Sequence, residues 1–89
     1  MDIQFLGWCR NEKSDKVWGI VKKDECLYVT FWGRRGGKLQ KKMIEMDRYD
    51  ASTLIRSKVK KGYDEVMKDD MEMVHDSLRK HVFKIGLSI

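Results

Sequence analysis

The sequence contains no proline, and only two of its 89 residues are cysteine. Two thiols close at most one bridge, which excludes a disulfide scaffold; Cys9 and Cys26 read as reduced thiols buried as small hydrophobes. Long apolar runs are also missing. The uninterrupted stretches are only a few residues, as at Val82-Phe83, too short to span a bilayer. Met1-Asp2-Ile3-Gln4-Phe5 has neither the basic segment nor the long apolar segment of a secretion signal, so a cytoplasmic location and no membrane partner are expected. There is no internal repeat and no low-complexity tract. Aromatics are not scarce: three Trp, three Tyr and three Phe argue against disorder. With 42% hydrophobic residues and a mass of 10.6 kDa, the chain can build one small core and one domain.

Charged residues make up 37% of the chain, and the net charge is +5 with a pI near 9.3. The distribution is more telling than the total. Residues 1–63 carry fifteen basic and eight acidic side chains, a net +7, while 64–89 carry four and six, a net −2. The basic part is therefore the part to test against polyanions.

The first half has the pattern of strands. Segments 3–10 and 16–22 are short and apolar-rich, separated by the polar turn Asn11-Glu12-Lys13-Ser14-Asp15. Asp24-Glu25 marks a second turn. Over 26–32, Leu27, Val29 and Phe31 alternate with Tyr28, Thr30 and Trp32. The first trio is expected to face the core, which pushes Trp32 toward solvent. Arg35-Gly36-Gly37-Lys38 supplies glycine for a tight hairpin, and 39–46 returns as a strand. The period then changes. Ala51, Leu54, Ile55 and Val59 sit at helical spacing, with Asp50 as expected N-cap and Gly62 at the C-terminal cap. Residues 63–66 fit a last short strand. Met71, Val74, Leu78 and Val82 place a second helix over about 70–82. The expected fold is thus α+β: a small antiparallel sheet of four or five strands packed by one helix, with an additional C-terminal helix.

Between Gly33 and Ile44 lie five basic residues, Arg34, Arg35, Lys38, Lys41 and Lys42, and no acidic one. An indole beside guanidinium groups suits nucleic acid: the ring stacks on a base or covers a sugar, and arginine pairs bidentately with phosphate. Lys58, Lys60 and Lys61 extend this basic strip if the helix end lies near the hairpin. The competing reading is a charged, solvated hairpin whose Trp32 merely covers a second core.

Phe31-Trp32-Gly33-Arg34, followed by Gly36, Gly37 and Gln40, resembles the signature of the WGR domain, named for its Trp-Gly-Arg. The resemblance covers most of 15–66. Asp15-Lys16-Val17-Trp18-Gly19-Ile20 is similar to the family's first strand, residues 51–61 match its helix, and Lys61-Gly62-Tyr63 matches the ending of that helix. The resemblance implies an antiparallel sheet with a helix across one face, a domain over 1–66 and an extension over 67–89 outside the match. The family occurs in DNA-dependent poly(ADP-ribose) polymerases, where the domain contacts DNA near a strand end, and in short bacterial proteins. By that match Trp32 and Arg34 are the DNA-contacting pair. The chain has no room for a polymerase catalytic domain, so that activity is not carried over. It departs from the family pattern in its short hairpin and in Arg35, where the family favours an aliphatic residue.

The carboxylates form no acid–base constellation, and Asp64, Glu65, Asp69, Asp70 and Glu72 do not have calcium-loop spacing. A zinc site would have to join Cys9 and Cys26 to His75 and His81, with no close cysteine pair. The expectation is a non-catalytic domain without metal or cofactor that binds nucleic acid, DNA favoured, as ends, nicks or single strand. Its binding residues are Trp32, Arg34, Arg35, Lys38, Lys41, Lys42, Lys58 and Lys61. The alternative is a protein-interaction module, or a homodimer, through the Met-rich stretch 67–85.

Overall fold

Apolar side chains recurring at every second position draw the first half of the chain into four strands, and the change to helical spacing after Glu45 starts a helix. The computed structural model describes residues 2–35 and 37–66. In chain order these form β1 (Asp2–Arg10), β2 (Asp15–Asp24), β3 (Leu27–Arg34), β4 (Gln40–Glu45), α1 (Arg48–Lys60) and the two-residue β5 (Asp64–Glu65). The strands make one antiparallel sheet in the order β4-β3-β2-β1-β5. The expected sheet and helix are therefore present. The second helix over 70–82, the Met-rich face at 67–85, and His75 and His81 lie outside the described residues.

The turns follow from local chemistry. In the β1–β2 turn the Asn11 side-chain oxygen accepts from the backbone N–H groups of Lys13 and Ser14, at 2.8 and 2.9 Å, the pattern that lets asparagine replace a backbone turn. At the β3 end, Gly33 has φ +156°, and a Cβ there would lie 3.0 Å from Leu39 Cδ2 and 3.2 Å from the Lys38 carbonyl. The glycine of Trp-Gly-Arg is thus required by backbone and space together.

Register fixes which residues share a face. Trp18 pairs with Trp32, Ile20 with Thr30, and Thr30 with Lys42, while Gly19 pairs with Phe31 and Phe31 with Lys41. Both faces carry a core. One cluster joins Phe5, Cys9, Trp18, Ile20 and Tyr28 to Ala51 and Tyr63, with Leu54, Ile55, Met46 and Trp32 packed against it. The other joins Leu6, Val17, Val21 and Phe31, with Ile3, Trp8, Leu39 and Val66 at its margin. Phe31 is fully buried, its ring lying over Gly19, where a Cβ would come within 2.4 Å of Cζ. Each such large apolar side chain contributes about 1.5–3 kcal/mol by its burial.

Cys26 is exposed in the β2–β3 turn rather than buried, and three further expectations are corrected here. First, the helix packs on the face of Tyr28, Thr30 and Trp32, not that of Leu27, Val29 and Phe31, so Trp32 is half-buried against the helix-side core rather than pushed into solvent. Both trios are apolar enough to bury, and alternation alone does not say which receives the helix. Second, the N-cap is Asp47: its side chain accepts from the Asp50 N–H at 2.7 Å, and Asp50 sits inside the first turn. Third, Val59 is 51% exposed. At about 100° per residue, position 58 returns to within about 20° of position 51, whereas position 59 is turned about 80° away. Lys58, not Val59, lies at the centre of the sheet-facing stripe.

The C-terminal end of α1 closes as a Schellman motif. The Tyr63 N–H donates to the Lys58 carbonyl (3.2 Å) and the Gly62 N–H to that of Val59 (3.0 Å), with Gly62 at φ +104°. This turn fixes Tyr63 beside Lys58. Asp47→Ala is expected to cost about 1 kcal/mol and Asp50→Ala clearly less, read as urea midpoints; the reverse order would contradict the cap assignment.

Candidate nucleic-acid interface

A groove of about 270 Å³ runs between the second half of α1 and the β3–β4 side of the sheet. Its lining comprises the aromatics Trp18, Trp32 and Tyr63, the aliphatics Ile44 and Leu54, and the polar Thr30, Lys42 and Lys58. Among the described residues no carboxylate lines it. Register places Trp18, Thr30, Trp32, Lys42 and Ile44 here, all on the helix side of the sheet. The Thr30 hydroxyl is buried and donates to the Lys42 carbonyl across the β3–β4 ladder at 3.4 Å.

Lys58 reaches this groove from the sheet-facing stripe of α1. Its ammonium stands 5.4 Å from the centre of the Trp18 ring, and that of Lys16 stands 5.9 Å from the Tyr63 ring; both lie within cation–π range. Loss of solvent, and then the like charges of Lys61 and Lys16, hold the Lys58 ammonium below its ordinary pKa. Burial, then the neighbouring Cys9, pushes the Tyr63 phenol up, so Tyr63 stays neutral. The arrangement concentrates positive charge beside a recessed aromatic lining, with no carboxylate among the described residues that line the groove.

The basic hairpin is divided by the pleat. Lys42 faces the groove, whereas Lys41, opposite Phe31, faces the other side of the sheet. Lys38 sits in the β3–β4 connection. Arg34 is exposed two residues beyond Trp32 and lines a separate polar cleft at the sheet end, with Asn11, Glu12, Lys13 and Arg35. Arg35 is engaged elsewhere: its Nε lies 3.0 and 2.9 Å from the two Asp15 carboxylate oxygens, and a terminal nitrogen lies 2.9 Å from Oδ2. This is the one ion pair among the described residues. Asp15 also accepts from the Trp8 indole at 2.7 Å, and Arg10 and Arg35 stand 4.2 and 5.2 Å from the Trp8 ring centre. Arg35 therefore clasps the β1–β2 and β3–β4 turns together. Of the expected residues, Trp32, Lys42 and Lys58 line the groove and Lys61 adjoins it, while Arg34, Arg35, Lys38 and Lys41 do not line it.

Sequence reasoning missed Lys16, Trp18 and Tyr63 as members of this surface. The signal for Lys16 and Trp18 was their even-numbered spacing on one strand. Among the described residues no group of three or more His, Cys, Asp or Glu is disposed to hold a metal, and no helix is long and apolar enough to cross a membrane. No family model, curated protein or solved structure matches the chain.

Two outcomes follow from these electrostatics. The Trp8 indole first, then the Arg35 guanidinium, hold the Asp15 carboxyl below the ordinary carboxylate range. Its stabilisation is therefore present above the unfolded carboxylate value and is lost as pH falls through the lower folded value. Asp15→Asn should lower the urea midpoint at neutral pH and flatten its fall on acidification; an unchanged acid profile would contradict the clasp. Lys58 has the opposite sign. Its folded pKa is lowered, so the unfolded chain binds more protons and stability rises with pH up to the ordinary lysine range. Lys58→Met should raise the urea midpoint at neutral pH, and a lowered midpoint would show that the partly desolvated ammonium is a net stabiliser.

Proposed function

We propose that this is a small, non-catalytic nucleic-acid-binding domain, with DNA the favoured ligand. The observation that carries the reading is the groove itself: Trp18, Trp32 and Tyr63 meet Lys42 and Lys58 there, with no carboxylate among the described residues of the lining. Trp32 is the half-buried member of the aromatic set and the one offered to a base or ribose; Lys42, Lys58, Lys16 and Lys61 neutralise the adjacent phosphates. Arg34 extends the positive surface toward the sheet end. The Trp-Gly-Arg resemblance supports the same reading, with Trp32 in the contacting role. Arg35, bound to Asp15, is assigned to holding the turns. Among the described residues no helix is placed to read base edges in a groove of duplex DNA, so sequence preference should be weak.

Neutralising about three to five phosphates gives a slope of log K against log salt of about −3 to −4.5 on duplex DNA. Anisotropy titrations of labelled DNA at several salt concentrations measure it, and a slope near zero would overturn the electrostatic part of the proposal. Trp32→Ala should weaken binding by about 1–3 kcal/mol, with circular dichroism confirming the fold; unchanged affinity in a folded variant would remove Trp32 from the interface.

A further inference from the structure

We infer that the groove takes a single unpaired nucleotide of a strand: one base ring against Trp32, with its flanking phosphates on Lys42 and on the Lys16–Lys58–Lys61 cluster. This inference rests on the nucleic-acid reading above and narrows the form of the ligand.

The argument begins with size and depth. At about 270 Å³ the groove lies below the roughly 300–1,000 Å³ of a drug-sized site. The aromatic lining is recessed as well. Trp18 and Tyr63 are 4% and 7% exposed, and Trp32 is half-buried between the β3–β4 surface and the helix-side core. Bases in a duplex offer their ring faces only to each other, so a recessed ring is reached by a base that has left the stack or was never in one.

Charge then selects what accompanies the ring. Lys42 stands on β4, on the sheet side of the groove, and Lys58 on α1, on the helix side. Lys16 and Lys61 continue the positive charge beyond Lys58. A neutral aromatic ligand leaves the Lys16–Lys58–Lys61 ammonium groups repelling one another, whereas a nucleotide with a phosphate on each side relieves that repulsion and pairs Lys42 on the opposite wall. A free mononucleotide shares this chemistry with a strand, but it brings phosphate to one side only. The two-sided placement of the lysines favours the strand.

The test uses the whole chain and four probes in anisotropy or competition format. They are a thymidine oligonucleotide of about fifteen residues, within the span of known single-strand sites, an abasic strand of equal length and charge, a closed dumbbell duplex without unpaired bases, and thymidine monophosphate. The thymidine strand should bind at least about fivefold tighter than the abasic strand or the dumbbell, since one stacked base accounts for roughly a five- to hundredfold gain. Trp32→Ala should abolish that advantage and leave abasic binding unchanged. Lys42→Gln, an exposed change with no packing role, should weaken thymidine and abasic strands alike. Equal binding of all three polymers, insensitive to Trp32, would overturn the inference while leaving electrostatic nucleic-acid binding in place. Competition by the monophosphate as strong, per nucleotide, as by the strand would overturn the choice of a strand as its source. Failure of every polymer to bind at low salt would overturn both this inference and the proposed function.

Discussion

The packing of α1 on the Trp18–Tyr28–Trp32 face of the sheet is the contact on which the remaining features depend. Ala51, Leu54 and Ile55 join that face to Phe5, Ile20 and Tyr63, and the Asp47 cap and the Schellman turn at Gly62 fix where the helix begins and ends. Once the helix lies there, the side chain one turn beyond Leu54 must also point at the sheet. That side chain is Lys58. A lysine at the centre of an apolar stripe buries its methylenes and carries its charge to the nearest edge, and here that edge is the opening above Trp18 and Trp32. Helix placement and groove chemistry are thus one consequence of the same register.

The two ends of the basic hairpin region have opposite electrostatic character. At the sheet end, Asp15 receives both the Trp8 indole and the Arg35 guanidinium, and the turns are tied by satisfied partners. At the groove, partial loss of solvent and then the like charges of Lys61 and Lys16 disfavour the Lys58 ammonium. Folding alone gives no reason to keep three like charges beside a partly desolvated surface. Such arrangements are common where a site trades some stability for binding, and a polyanion is the ligand class that relieves them.

Much of the fold was legible from the residues. Alternation over β3, the polar turns after Arg10 and Lys23, and glycine at the end of α1 located the strands, the turns and the helix. Alternation could not say which face of β3 would take the helix, because Val29 and Phe31 on one side and Tyr28 and Trp32 on the other are all suited to burial, and both sides are in fact buried or half-buried. The candidate site was legible in part for the same reason. Basic residues close in sequence, such as Lys41 and Lys42, are thrown to opposite faces by the pleat, while Lys16, Lys42 and Lys58, distant in sequence, converge. The role of Arg35 was hidden because its partner Asp15 is twenty residues away. The position of Lys58 relative to Ala51 on the helical wheel, with the even-numbered spacing of Lys16 and Trp18 on β2, was the sequence signal that pointed to the groove.

The central claim is that the aromatic–lysine groove, and not the basic hairpin tip, is the ligand-binding surface. An amide and indole chemical-shift titration of the intact chain with a short oligonucleotide tests it most directly. The account predicts that the Trp18 and Trp32 indole signals and the amides of Thr30, Lys42 and Lys58 move together, while the Trp8 indole and Arg35 stay in place. Shifts confined to Trp8, Arg35 and the turn of Asn11 and Ser14, with Trp32 and Lys58 unmoved, would contradict it.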